Sequence, residues 1–293
     1  MTPFSILLIL ISAILHSAWN FFSKKGNWSL EFYFWVFLWG TLLYLPFFIT
    51  LGPFPALLFE APPRLWYLSI LSGLIQTIYF ICLIEAYRVG DLSFVYPISR
   101  SAPLFTLFWA TLFIGEIPSL NGILGVGLVT FGIFVISMRD FNLRRLFSQS
   151  DPLPSRPYLL AFIAALSGSI YSVVDKLVVQ ILYPVYYTWL INLWMTLFVG
   201  LYLIRHRKDS FRRVWRESKR EIFTIVFLQN IGYGCFLMAL QMSKVSYVVA
   251  FRQVGALFGA FMGILFLKES HWETRIPGAL ILALGLVLIG LAR

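Results

Sequence analysis

Charge is scarce in this chain, and acid scarcest of all. Of its 293 residues 12% are charged, with 13 Asp and Glu against 23 Lys and Arg, and 3 are His. Cysteine is almost missing: Cys82 and Cys235 each stand inside an apolar run. Two isolated thiols exclude a disulfide framework and a cysteine metal site. No His and Glu stand at zinc spacing, no glycine loop leads into Lys-Ser or Lys-Thr, and no aspartate-rich motif occurs. The chain is therefore expected to bind no cofactor or metal and to be no enzyme, and any transport it performs would be driven by a gradient or by exchange.

What fills the chain instead is apolar surface. Hydrophobic residues make up 59% and aromatics 18%, more than a soluble domain can hide. A hydrocarbon core of about 30 Å takes about 20 apolar residues per helix. Ten such stretches can be marked near 3–22, 31–51, 66–87, 93–114, 121–138, 157–180, 185–204, 220–240, 246–267 and 274–292. They are continuously apolar rather than alternating, which selects helices over barrel strands. The first lacks a basic leader and a small-residue cleavage site, so it is expected to remain as a helix. The fold expected is all-α, integral to the inner or plasma membrane, with ten spans.

A shift of 153 residues lays 76–136 onto 229–289 without a gap. Gln76 meets Gln229, Cys82 meets Cys235, Ser93 meets Ser246, Phe105 meets Phe258, Glu116 meets Glu269, Gly125 meets Gly278 and Gly132 meets Gly285. A repeat of that length is a duplicated domain rather than a solenoid unit. Five spans per copy is an odd number, so the second copy enters the membrane upside down. The organisation expected is a first repeat over 1–140, a linker over 141–156 and a second repeat over 157–293.

The net charge of +10 belongs to loops rather than to a nucleic-acid surface. Lys24, Lys25, Arg88, Arg139, Arg144, Arg145, Arg156 and the cluster from Arg205 to Arg220 fall on one face, with Lys268 and Arg275. Only Arg64, Lys176, Lys244 and Arg293 fall on the other. The richer face is cytoplasmic by the positive-inside rule, which leaves both termini outside. The partners expected are the lipid bilayer and a small molecule, with the chain acting as a monomer or homodimer.

Polar residues inside the spans are the site candidates. Arg100 and Arg252 lie about seven residues into the fourth and ninth spans, roughly 10 Å below the interface. A guanidinium there either faces a wet cavity or snorkels to the headgroups; in a cavity it favours a carboxylate, phosphate or phosphonate. Tyr96-Pro97 precedes Arg100 by one turn, and Pro97 predicts a bend, because it cannot donate to the Ser93 carbonyl. Gln76 and Gln229 are mid-span amides that either bind substrate or join helices. Tyr79, Asn230, Tyr233 and Tyr171 are placed to line the same space. His16, Trp19 and Asn20 share one face of the first span. His16 is a candidate for proton coupling, as are Glu85, which can pair with Arg88, and Asp175, read as lying at a wet outer mouth. Lys25 and Lys176 read as interface anchors, Glu116 and Glu269 as starters of the helices that follow them. Gly255, Gly259 and Gly263 form a ridge for close helix packing, within the monomer or between two copies.

Certain stretches carry a resemblance. Phe105 to Phe113-Ile114-Gly115-Glu116 followed by Gly122, Gly125 and Gly132, and again Phe258 to Phe266-Leu267-Lys268-Glu269 followed by Gly278 and Gly285, resemble the EamA-like repeat of the drug/metabolite transporter superfamily, as does Val95-Tyr96-Pro97-Ile98-Ser99-Arg100. The resemblance implies a transporter with a central site supplied by spans one, three, four, six, eight and nine. It also implies alternating access and export of a small polar metabolite, an amino acid or organic anion. Alternatives are a multidrug or lipid-linked-sugar carrier of the same fold, or a membrane-embedded lipid-modifying enzyme. Many ten-span members of the superfamily keep both termini in the cytoplasm, where the charges here place them outside.

Overall fold

In the computed structural model the chain is helical throughout the described residues, which are 1–25, 29–51, 60–138, 155–206, 211–258 and 272–292; no strand occurs among them. The order is α1 (Pro3–Lys25), α2 (Leu30–Leu51), α3 (Pro63–Val89), α4 (Leu92–Ser99), α5 (Ala102–Trp109), α6 (Leu120–Ser137), α7 (Ser155–Val178), α8 (Pro184–His206), α9 (Phe211–Glu217), α10 (Lys219–Met242), α11 (Val245–Phe251) and α12 (Trp272–Leu291). Among the described residues six stretches are long and apolar enough to cross a membrane: Pro63–Val89, Leu120–Ser137, Arg156–Val178, Pro184–Arg205, Lys219–Met242 and Glu273–Leu291. Pro3–Trp19, Leu30–Pro46 and Val245–Phe258 are shorter and also apolar. Residues 139–154, which hold all of the expected linker 141–156 but Ser155 and Arg156 at the start of α7, lie outside the described residues, as do Gly259, Gly263, Glu269 and the side chains of Asn20 and Lys25.

The bend expected at Pro97 is a full break. α4 ends at Ser99, the chain turns through Arg100 and Ser101, and α5 restarts with Pro103 in its first turn. A wider π-type turn, Ala110–Ile114, follows α5. The equivalent place in the second half breaks without a proline. α11 stops at Phe251, tight bonds from Gln253 N–H to the Ala250 carbonyl (3.1 Å) and from Gly255 N–H to the Arg252 carbonyl (3.2 Å) carry the turn, and helix resumes over 254–258.

The two halves meet along helices that run in opposite directions. On α6 and α12, a Cβ at Gly125 would lie 2.8 Å from the Gly285 carbonyl and one at Gly132 2.8 Å from the Gly278 carbonyl. As one helix advances from 125 to 132 its partner returns from 285 to 278, so the pair is antiparallel. All four positions need glycine because backbone meets backbone there. α3 lies antiparallel on α7, where Ser72 meets Asp175 and Tyr79 meets Gly168. α1 lies antiparallel on α10, where Ser5 meets Ser243 and Leu15 meets Gly232. These last two interfaces are one interface seen twice: the 153-residue shift takes Tyr79 to Gly232 and Leu15 to Gly168. Gly255 packs on α1, its carbonyl accepting from Ser17 Oγ at 3.2 Å, so the described part of that glycine ridge is used within the chain.

Two expectations about helix ends are corrected. Glu116 does not start the helix after it. Its carboxylate caps α11 in the other half, accepting Val245 N–H at 2.6 Å and Ser246 Oγ at 2.8 Å. Lys244 donates to the Ile117 carbonyl at 2.6 Å beside it, and Ser119 N–H donates to Tyr247 Oη at 2.9 Å. Lys176 is not an interface anchor. It is buried and donates to the Leu240 and Ser243 carbonyls at 2.6 and 2.9 Å, closing the C-terminus of α10, where a cation is favoured.

The antiparallel crossing predicts a matched pair of outcomes. Gly132→Ala forces a methyl into the facing backbone and should destabilise the detergent-solubilised protein by about 1–3 kcal/mol, read as a lower Tm. Gly127→Ala, on the same helix with nothing within 4 Å of its Cβ, should leave Tm unchanged.

Candidate functional site

Between α1, α3, α7, α8, α10 and the turn after α11 the bundle is hollow. α1 contributes His16 and Trp19 to the wall, α3 Gln76 and Tyr79, α7 Tyr171, α8 Asn192, α10 Gln229, Asn230 and Tyr233, and the turn Arg252. The cavity measures about 50 Å3, several times the 10–15 Å3 that one water needs. A smaller one of about 20 Å3 adjoins it, lined by Tyr33, Tyr87 and Arg100 and sharing His16, Trp19, Tyr79 and Phe80 with the first. The two arginines thus sit at the two broken helices, one in each compartment, with His16 in the wall between them.

Neither arginine snorkels away from the bundle. Arg252 lies over the Phe236 ring at 4.4 Å, with Nη2 at 3.4 Å from His16 Nδ1. Because arginine only donates, that contact requires the ring nitrogen of His16 to accept, and the imidazole to be neutral. Trp19 meets His16 edge-on at 4.6 Å and holds the ring in place. Arg100 lies over the Tyr96 ring at 5.2 Å. Among the described residues neither guanidinium has a carboxylate at ion-pair distance, and Arg252 Nε is buried with no hydrogen-bond partner. Gln229 Oε1 is a buried acceptor in the same condition. A cavity carrying spare donors on two cations and a spare amide acceptor is matched to a small anion that also bears a donor group.

Asp175 stands one layer behind this cavity, fully buried, and not at an outer mouth. Oδ1 accepts from Ser72 Oγ and from Tyr187 Oη, each at 2.5 Å, and Oδ2 accepts from Tyr233 Oη at 2.5 Å. Gln76 Nε2 donates to Ser72 Oγ at 3.1 Å and to Tyr233 Oη at 2.9 Å. Each of those hydroxyls receives from the amide and gives to the carboxylate, so the direction of both bonds is set. Three neutral donors from α3, α8 and α10 surround one charge.

Asn230 faces the cavity and joins helices at once. Asn192 Nδ2 donates to Asn230 Oδ1 at 2.5 Å, and each amide also bonds the carbonyl one turn earlier on its own helix. Tyr79 and Tyr171 meet ring to ring at 5.6 Å. Glu85 does not join the site; it pairs with Arg88 at 2.5 Å at the end of α3. Tyr96 reaches the site only through the face it offers Arg100.

Ser72, Tyr187 and Asn192 were not anticipated from sequence. Ser72 lies one turn from Gln76 on the same face of α3, and Asn192 is an amide amid apolar neighbours, the signal that had singled out Gln76. Nothing local marks Tyr187, two residues into the turn of helix after Pro184-Val185; only the approach of α8 to α7 gives it a role.

Comparison with known proteins places this architecture. No curated protein matches the chain. A solved crystal structure described only as "Crystal structure of protein" superposes over 99% of this chain and 98% of its own, with a TM-score of 0.74 at 14% identity, a likeness of fold alone. The model of the EamA-like transporter family matches twice, over residues 3–138 and 155–291. Matched in both halves over nearly its whole length, the chain belongs to the EamA-like transporter family and is a multi-pass membrane protein.

Proposed function

We propose that the protein is a secondary transporter that carries a small polar metabolite bearing an anionic group, an amino acid or organic anion, by alternating access. The single observation that carries this reading is the pair of arginines at broken helices, facing a hollow with room for water, with no carboxylate among the described residues at ion-pair distance from either. In this reading ten spans form two inverted five-helix repeats, 1–140 and 157–293, joined by a cytoplasmic linker over 141–156. Both termini face outward across the inner or plasma membrane, and the working unit is a monomer or homodimer. The antiparallel pairing of α6 with α12, α3 with α7 and α1 with α10 supports the inversion.

Alternating access follows physically from that pairing. Two similar halves packed in opposite senses have two nearly equivalent arrangements, each opening the shared hollow to one side. A space of about 50 Å3 holds waters rather than a metabolite, so the cargo enters through a more open arrangement. Its anionic group is held by Arg252 and Arg100, with Gln229 Oε1 accepting from a hydroxyl or ammonium of the same molecule. Net direction depends on the gradient to which movement is coupled, export being what the family resemblance implies.

The test is uptake into proteoliposomes from a panel of amino acids, dicarboxylates, phosphonates and cationic dyes. Anionic and zwitterionic cargo should be taken up and the dyes excluded. Arg100→Ala and Arg252→Ala should each lower kcat/KM at least about tenfold, the loss of a charged hydrogen bond of about 1.5–3 kcal/mol. Full activity in both variants returns the arginines to a packing role. Gln229→Ala should raise KM for cargo that carries a donor and leave cargo without one unaffected.

A further inference from the structure

The strongest feature that anion binding leaves unused is the carboxylate behind the cavity wall. A charged side chain inside a membrane bundle normally has an opposite charge beside it, and Asp175 has three hydroxyls instead. The groups facing it can be taken element by element. α3 offers Ser72 and Gln76, neither charged. α8 offers Tyr187 and α10 offers Tyr233. On its own helix, Tyr171 lies one turn earlier on the cavity wall, and Lys176 is turned away to the end of α10. Arg252, from the turn after α11, lies across the cavity that Tyr233 lines, with His16 of α1 beyond it. No cation among the described residues stands at ion-pair distance from the carboxylate.

We infer that Asp175 is a proton site linked to the cavity through Tyr233 and Gln76, and that its proton travels with the anionic cargo. This rests on the reading that Arg100 and Arg252 bind an anion. Among the described residues Tyr233 alone both lines the cavity and donates directly to Asp175, so it is the relay. A proton from cavity water is taken by Tyr233 Oη as the proton already on that oxygen passes to Asp175 Oδ2. The carboxylate becomes a carboxylic acid, Tyr233 ends with one proton as it began, and nothing is oxidised or reduced. The protonated acid now donates back to Tyr233 Oη, so the charge-assisted bond holding α10 to α7 at this point becomes a weaker neutral one with its direction reversed. One proton thereby weakens the bonds that α3, α8 and α10 make to α7 through Ser72, Tyr187 and Tyr233.

The sign of the coupling follows from charge. With the cavity free of anion, the arginine field disfavours placing a further proton nearby. An anion on the guanidinium groups cancels that field, so anion and proton favour each other, and by linkage the effect is reciprocal. Proton and cargo then move together. Where protons run inward the anion is carried inward, opposite to the export that the family resemblance implies.

The proton site is tested without any cargo. Infrared difference spectra of the purified protein between neutral and acid pH should show a buried carboxyl band rising together with a tyrosine ring band. Asp175→Asn should lose both. Tyr233→Phe should keep the carboxyl band and reduce the ring band to the part that Tyr187 contributes, and Tyr187→Phe with Tyr233→Phe should remove it. Identical spectra in wild type and Asp175→Asn overturn the inference whatever the protein transports. In proteoliposomes, succinate and methylphosphonate uptake should be driven by an acid exterior in wild type. Asp175→Asn should lose that drive while retaining exchange of the same anion across the membrane; proton-driven uptake equal to wild type contradicts it. If neither anion, nor any other member of the panel, moves at all, the transport reading fails while the spectra still decide Asp175.

Discussion

Two guanidinium groups held inside an apolar bundle, with no carboxylate among the described residues to neutralise either, are the constraint around which the structure is organised. Burying an unpaired charge is expensive, so such groups are retained where water or a ligand reaches them. Each break in a helix serves that need. At Arg100 and at Arg252 the chain leaves regular helix, and the side chain reaches the hollow while the neighbouring backbone closes tight turns. Aromatic faces do the rest: Phe236 under Arg252 and Tyr96 under Arg100 give each cation a partner that occupies none of its hydrogen-bond donors.

Duplication explains why there are two breaks, and divergence explains why the site is not symmetric. The glycines of α6 and α12 pair across the centre, and contacts such as Tyr79 with Gly168 recur as Gly232 with Leu15. Apart from Gln76 and Gln229, the polar lining does not recur in this way. The shift that relates the halves takes Asp175 to Phe22, Tyr233 to Phe80 and Asn230 to Thr77. In the second half α7, α8 and α10 therefore surround a carboxylate with hydroxyls, while their counterparts in the first half, α1, α2 and α3, carry aromatics, with Trp19, Tyr33, Phe37 and Phe80 packed together. The backbone has kept the symmetry of the duplication, and the side chains have diverged.

Much of this was legible in the sequence, and for identifiable reasons. Continuous apolar runs located helices, because a span must satisfy its backbone internally. Gln76, Gln229, Arg100 and Arg252 were conspicuous because polar groups amid apolar neighbours have few explanations. Asp175 was misplaced for the opposite reason: it stands three residues from the end of α7, where sequence position suggests water, yet α8 and α10 fold over it. Glu116 and Lys176 were misread in a related way. Both satisfy helix termini, as charged residues near span ends do, but the termini belong to distant parts of the chain, α11 and α10. Pairing partners across the bundle are set by packing, and no local pattern announces them.

The central claim, that the hollow presents two unneutralised cations to an anion, is tested most directly by anion binding itself. Thermal unfolding of the detergent-solubilised protein should be measured in succinate, in methylphosphonate and in chloride at matched ionic strength. A ligand that binds the native state raises Tm in proportion to its occupancy. The account predicts a rise in Tm with increasing carboxylate or phosphonate beyond that seen in chloride, abolished when Arg100 and Arg252 are both replaced by alanine. A Tm that follows ionic strength alone, or a rise that survives the double replacement, would contradict it.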